Sequence, residues 1–123
     1  MFTIRGAQMA ALAVPGEVRT EDRALRHLRN CIPEVCAALS ESALREIVLW
    51  GRRRSRQYGI EREFDFFRYL NLMFMFGYEF DTAPRFPWAS RTLNAKGHPG
   101  KRVDLLMDHA MLFCSQAATG RAQ

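Results

Sequence analysis

The chain has 123 residues, 48% of them hydrophobic and 25% charged, with a formal net charge of +5. That balance belongs to one globular domain able to bury a core, and it excludes a mainly disordered chain, a collagen and a disulfide scaffold. Of the 18 basic residues only Lys96 and Lys101 are lysine, and an arginine excess suits protein interfaces as well as phosphates, because the guanidinium forms bidentate pairs and stacks on aromatic rings.

The periodicity is helical from end to end, with no sustained strand alternation. Residues 1–16 carry one arginine and a short apolar stretch at Ala10 to Val14. They read as a short helix over 4–13, opened by Thr3 as cap, rather than as a signal peptide. Pro15-Gly16 then marks a break, so that 1–19 forms an N-terminal helix and break. A second helix is expected over 20–31 with Thr20 as its N-cap, and a third over 33–39 after Pro33. The next runs over 41–57, capped by Ser40 and stopped at Gly59. Helices over 61–77, 87–94 (with Pro87 in its first position) and 100–117 complete the series, and 118–123 reads as a disordered tail. The expected fold is all-α, a single compact irregular bundle of five to seven helices.

Three of these helices can be drawn as wheels at about 100° per residue. Over 41–57, Leu44, Ile47, Val48, Gly51 and Ser55 share one side, and Tyr58 continues the stripe. Arg45, Arg52, Arg53 and Arg56 hold the opposite side, with Leu49 among them. Over 61–77 the core stripe is Phe66, Phe67, Leu70, Met73, Phe74 and Gly77. Glu61, Asp65 and Arg68 face away, and above them Leu72, Met75 and Phe76 remove the polar face. Over 100–117, Val103, Leu106, Met107, Ala110, Phe113, Cys114 and Ala117 face the core. Leu105 and Leu112 sit on the other side with Lys101, Asp108 and His109. A small bundle cannot bury two helices on all sides. Leu72, Met75, Phe76, Leu105 and Leu112 are therefore the candidate partner-binding patch, and Arg45, Arg52, Arg53 and Arg56 its charged rim.

The remaining clusters have structural readings. His27 and Cys31 share a helix face and Cys36 lies just beyond, but no paired ligand motif joins them into a tetrahedral zinc site. The three cysteines Cys31, Cys36 and Cys114 cannot all pair within one chain, which fits reduced thiols and a cytoplasmic setting. Asp104, Asp108 and His109 read as solvated helix charges. The aromatic loop, Tyr78, Phe80, Phe86 and Trp88, is expected to fold back as a lid on the core or to serve a partner as anchors. No nucleophile elbow, phosphate loop or metalloprotease helix is present, so the chain reads as a non-enzyme with no catalytic residue, metal or cofactor. No apolar run approaches the roughly 20 residues of a membrane span.

Taken together, the order and spacing of several short segments resemble a family. They are Phe2-Thr3-Ile4-Arg5 with Gln8-Met9, His27-Leu28-Arg29, Ile32-Pro33-Glu34, Cys36-Ala37-Ala38-Leu39 and Tyr58-Gly59-Ile60. The densest follow: Tyr69-Leu70-Asn71-Leu72-Met73, Gly77, Phe80-Asp81, Pro84 and Pro87-Trp88-Ala89. The family comprises small helical proteins encoded in bacterial type VI secretion clusters, near effector, PAAR-tip or spike genes. The resemblance implies a non-catalytic cytoplasmic adaptor or co-chaperone. Its partner would be an effector protein, its chaperone or a spike-tip protein, with self-association through the same patch a further outcome. The chain departs from the family pattern at Pro15-Gly16, at Asn71, where an aspartate is common, and in its heavier arginine run. Two other classes stay open on the residues: a nucleic-acid-associated regulator using the arginine face, and an immunity protein.

Overall fold

A computed structural model describes the backbone of residues 15–122 and the side chains of residues 19–117. The protein is all-α: six helices and no strand occur among the described residues. They are α1 (Pro15–Cys31), α2 (Pro33–Ala37), α3 (Glu41–Gln57), α4 (Glu63–Phe76), α5 (Pro87–Leu93) and α6 (Pro99–Ala122). The expected helix over 4–13 and its Thr3 cap lie outside the described residues.

Two expectations at the chain ends are corrected. Pro15 opens α1 rather than preceding it, which places Thr20 inside the helix instead of at its cap. Proline suits a first helical position because its missing N–H would have had no partner there and its φ is already helical. At the other end α6 is helical to Ala122, past the point where a tail was expected. An established helix propagates at little cost through alanines such as Ala117 and Ala118.

The helices group into two compact units, Met1–Arg54 and Ser55–Gln123, with the boundary inside α3. In the first unit Ala24, Leu25 and Leu28 of α1, Cys36 of α2, and Leu44 and Val48 of α3 are buried. Ser40 caps α3 as its type and place predict, its Oγ accepting the Ala43 N–H at 3.1 Å. Arg45 reaches Asp22 at 3.2 Å and Glu41 at 3.5 Å, and Arg29 reaches Glu41 at 3.6 Å. These pairs are well solvated and contribute little individually.

In the second unit the C-terminus of α3 ends in a Schellman arrangement. The Gly59 N–H donates to the Arg56 carbonyl at 3.0 Å and the Ile60 N–H to the Ser55 carbonyl at 3.1 Å. Gly59 has φ +78°, a conformation glycine adopts without steric cost. Ile60 is thereby turned into the interior. Arg102 of α6 gathers three carbonyls: Nη2 donates to Tyr58 O at 2.7 Å, Nε to Gly97 O at 3.3 Å, and Nη1 to Leu93 O. One guanidinium thus serves the orphan carbonyl ends of α3 and α5. The Tyr58 hydroxyl donates to the buried Asp81 carboxylate at 2.5 Å, fixing the connection after α4. Pro87 takes the first turn of α5.

The buried arc of α4 differs from the drawn wheel. Asp65, Phe66, Tyr69, Leu70, Leu72 and Met73 are buried, while Phe67 and Phe74 are half-exposed. The helix is rotated by about a quarter turn from the arc that hydrophobicity alone selects. Asp65 tolerates the interior because its charge is matched. Arg62 donates to it at 2.8 and 3.3 Å, and Arg68 at 2.6 Å. Once Asp65 turns inward, Leu72 follows it two turns later on the same side.

Candidate functional site

All five residues of the expected apolar patch lie in the second unit, and the structure separates them. Leu72 is buried, which removes it from the surface, for the reason just given. Phe76 is half-buried and belongs to an aromatic cluster. Met75, Leu105 and Leu112 are exposed, at 56%, 53% and 55%. Met111, 70% exposed, joins them. Sequence reasoning passed over it because it falls between the core stripe and the Leu105–Leu112 stripe of α6.

These side chains are positioned by α4 and α6, which run side by side in the same direction. Arg68 of α4 meets Asp104 of α6 at 2.6 Å. Two turns further along both helices, Phe76 meets Phe113 with ring centroids 5.8 Å apart. Near its N-terminal end the seam is bound by the chain of charges Arg62, Asp65, Arg68 and Asp104. Burial pushes the Asp65 carboxyl up, but the hydrogen bonds from Arg62 and Arg68 outweigh it and hold that carboxyl below its usual range. Burial opposes the Arg68 charge as well, and its bonds to Asp65 and Asp104 more than restore it.

The C-terminal end of the seam is aromatic. Phe76, Phe86, Trp88 and Phe113 contact one another at centroid distances of 5.0 to 6.0 Å, mostly edge to face. His109 stacks on Trp88 at 6.4 Å. The aromatic loop accordingly divides. Phe80 and Phe86 are buried and Trp88 is half-buried, closing over the core as a lid. Tyr78 stays exposed, edge-on to Phe74 at 5.8 Å.

Beside this cluster opens a cleft of about 370 Å³, lined by Met75, Phe76, Arg85, Phe86, Phe113, Cys114 and Ala117. Cys114, expected in the core stripe, is exposed here. It follows Phe113 at the edge of the packed arc, where the cleft replaces a covering helix. Arg85 lays its guanidinium over the Phe86 ring at 4.9 Å. No periodicity signals Arg85 as a site residue, because it sits in the connection between α4 and α5.

The expected charged rim falls on both sides of the unit boundary. Arg45, Arg52 and Arg53 belong to the first unit and Arg56 to the second. Arg45 is engaged with Asp22 and Glu41, and Arg56 with Glu61 at 3.7 Å. Arg53 is exposed and Arg52 half-buried. Asp104, read as a solvated charge, takes part in the Arg68 pair. His27 and Cys31 are in contact at 3.8 Å, whereas Cys36 is buried and its thiol pushed up by that burial. Among the described residues no group of three His, Cys, Asp or Glu side chains is placed to hold a metal ion. Nor is any helix among them long and apolar enough to cross a membrane. No family model, curated protein or solved structure matches the chain.

Proposed function

We propose that this protein is a non-catalytic adaptor or co-chaperone for a type VI secretion effector, working in the cytoplasm. It binds the effector, its chaperone or a spike-tip protein through the second unit. The carrying observation is the set of large apolar side chains Met75, Leu105, Met111 and Leu112, each more than half exposed on α4 and α6. Their cost in water is recovered when a partner covers them. Methionine adapts to irregular partner surfaces, which suits a client that is held and later released. The arginine face supports a nucleic-acid role less well, because Arg45 and Arg56 already face carboxylates. The link to secretion rests on the order and spacing of the short segments between Phe2 and Ala89 taken together, densest from Tyr69 to Ala89.

The test is an affinity pull-down from the native host, with and without nuclease, at about 150 mM salt and again at higher salt. Apolar contacts survive added salt while arginine–phosphate contacts weaken steeply. The adaptor reading expects an effector, a spike-tip protein or their chaperone at both salts, and its loss in the Met75→Asp, Leu112→Asp double variant. Nucleic acid recovered only without nuclease and lost at higher salt would overturn the reading. So would full retention of every partner by a well-folded double variant. Recovery of this chain alone would replace the adaptor with a homo-oligomer that covers its own patch.

A further inference from the structure

We propose that the cleft beside Phe113 takes a large apolar side chain of a partner polypeptide together with a carboxylate about one helical turn away, and that the carboxylate pairs with Arg85. The inference rests on the protein-binding reading above and specifies what the partner presents there. The cleft has the size of a small ligand pocket, about 370 Å³. Five of its seven lining residues carry apolar side chains, Arg85 and Cys114 being the others, and the surface they expose to the cleft is more polar than apolar. Phe76, Phe86 and Phe113 are held rigidly by one another, so the wall is preformed and costs a partner little ordering. Met75 stands exposed at the edge, and Met111 lies one turn before Cys114 on the same helix face. Both are flexible enough to close around an inserted side chain.

Arg85 supplies the selectivity. Elsewhere in this unit Arg56, Arg62, Arg68 and Arg102 are each matched to oxygen acceptors, and the exposed Arg91 of α5 is not among the residues lining the cleft. Arg85 has the Phe86 ring beneath it and no carboxylate or carbonyl acceptor among the described residues. Arg85 lines the cleft with the Phe86 ring on one side of its guanidinium, and a guanidinium so placed can still donate through its N–H groups. An anion alone, in open water, would gain little from those groups. Anchored by an apolar neighbour in the cleft, the same anion meets Arg85 in a partly dehydrated site, where a bidentate pair is stronger. The site therefore selects the combination rather than either feature singly. A helical or turn segment carrying Leu, Phe or Met within about four residues of Asp or Glu provides it.

The experiment uses the full chain. A phage-displayed library of random peptides of about twelve residues is selected in parallel against the wild-type protein and against Arg85→Gln. Wild type is expected to enrich Asp or Glu within about four residues of a large apolar residue, and Arg85→Gln to keep the apolar preference and lose the acidic one. One enriched peptide is then titrated in solution. Arg85→Gln weakens it about tenfold, and so does replacing the peptide's acid by its amide. The two changes together cost no more than one, which isolates the pair. Cys114→Asp, at an exposed position, abolishes binding by placing a like charge at the lip, while Val35→Asp, at an exposed position in the first unit, leaves it unchanged. Thermal melting of each variant checks the fold. Absence of any enriched peptide, enrichment without an acid, or equal affinity for Arg85→Gln overturns the inference. The pull-down with Met75→Asp, Leu112→Asp decides the broader reading separately. A partner lost there but indifferent to Arg85→Gln removes this inference and leaves the adaptor standing.

Discussion

Asp65 is the residue on which the sequence and the structure part most sharply. A wheel drawn by hydrophobicity places a carboxylate outside. The chain places it inside, because Arg62 at the N-cap and Arg68 on the helix, three positions before and after it, arrive with it. Removing the carboxylate would leave Arg68, which is only 17% exposed, with the solvated Asp104 as its remaining carboxylate partner. Asp65→Ala is therefore expected to destabilise the protein by about 3 kcal/mol, read as a lower urea midpoint. Since its folded-state pKa is depressed, the contribution of Asp65 is fully present above the unfolded carboxylate value of about 3.9. It is lost as pH falls through the lower folded value. Urea midpoints measured between about pH 5 and pH 2 should drop more steeply for wild type than for Asp65→Asn. The consequence reaches Leu72, which the inward turn of Asp65 carries into the core. A wheel sees one side chain at a time; pairing between neighbours is what it leaves out.

Helix ends were the legible part at the level of elements, because caps and stops are set by single residues with local chemistry. Ser40, Gly59 and Pro87 act where their types predict, and α3 has the bounds read from the sequence. Ser40→Ala should cost about 1 kcal/mol. Gly59→Ala should cost about 1–2 kcal/mol, because the backbone is left-handed there, while the added carbon would only touch the Arg102 guanidinium at 3.4 Å. Thermal melting reads both. Pro15 was misread because proline followed by glycine marks a break as readily as a helix start, and the sequence does not distinguish them. Which stretch of α6 would be left uncovered was not legible either. That depends on α4 lying parallel to α6, a relation between elements 36 residues apart.

For the whole molecule, the exposed apolar set and the arginines predict opposite responses to salt. Partner retention through Met75, Met111 and Leu112 should persist or strengthen in kosmotropic salt, whereas retention through the arginines should fall with ionic strength. Comparing sodium sulfate with sodium chloride at matched ionic strength separates the two. The all-α class was readable from periodicity and composition alone. The candidate site was readable only in part: Met75, Leu105 and Leu112 come from the pattern, while Met111, the cleft and Arg85 require knowing which helices lie together.

The three carbonyls gathered by Arg102 bear on the order of folding events. Tyr58 is 44 residues from Arg102, whereas Leu93 is 9 and Gly97 is 5. The two local bonds close small loops, and the distant one must wait for the ends of a long loop to meet. A side chain that ties a distant carbonyl to two near ones acts as a latch set after the nucleus has formed. Arg102→Met should therefore accelerate unfolding and leave the refolding rate almost unchanged, so that stopped-flow chevrons for the two proteins differ in one arm. Equal slowing of refolding would instead place this latch in the transition state.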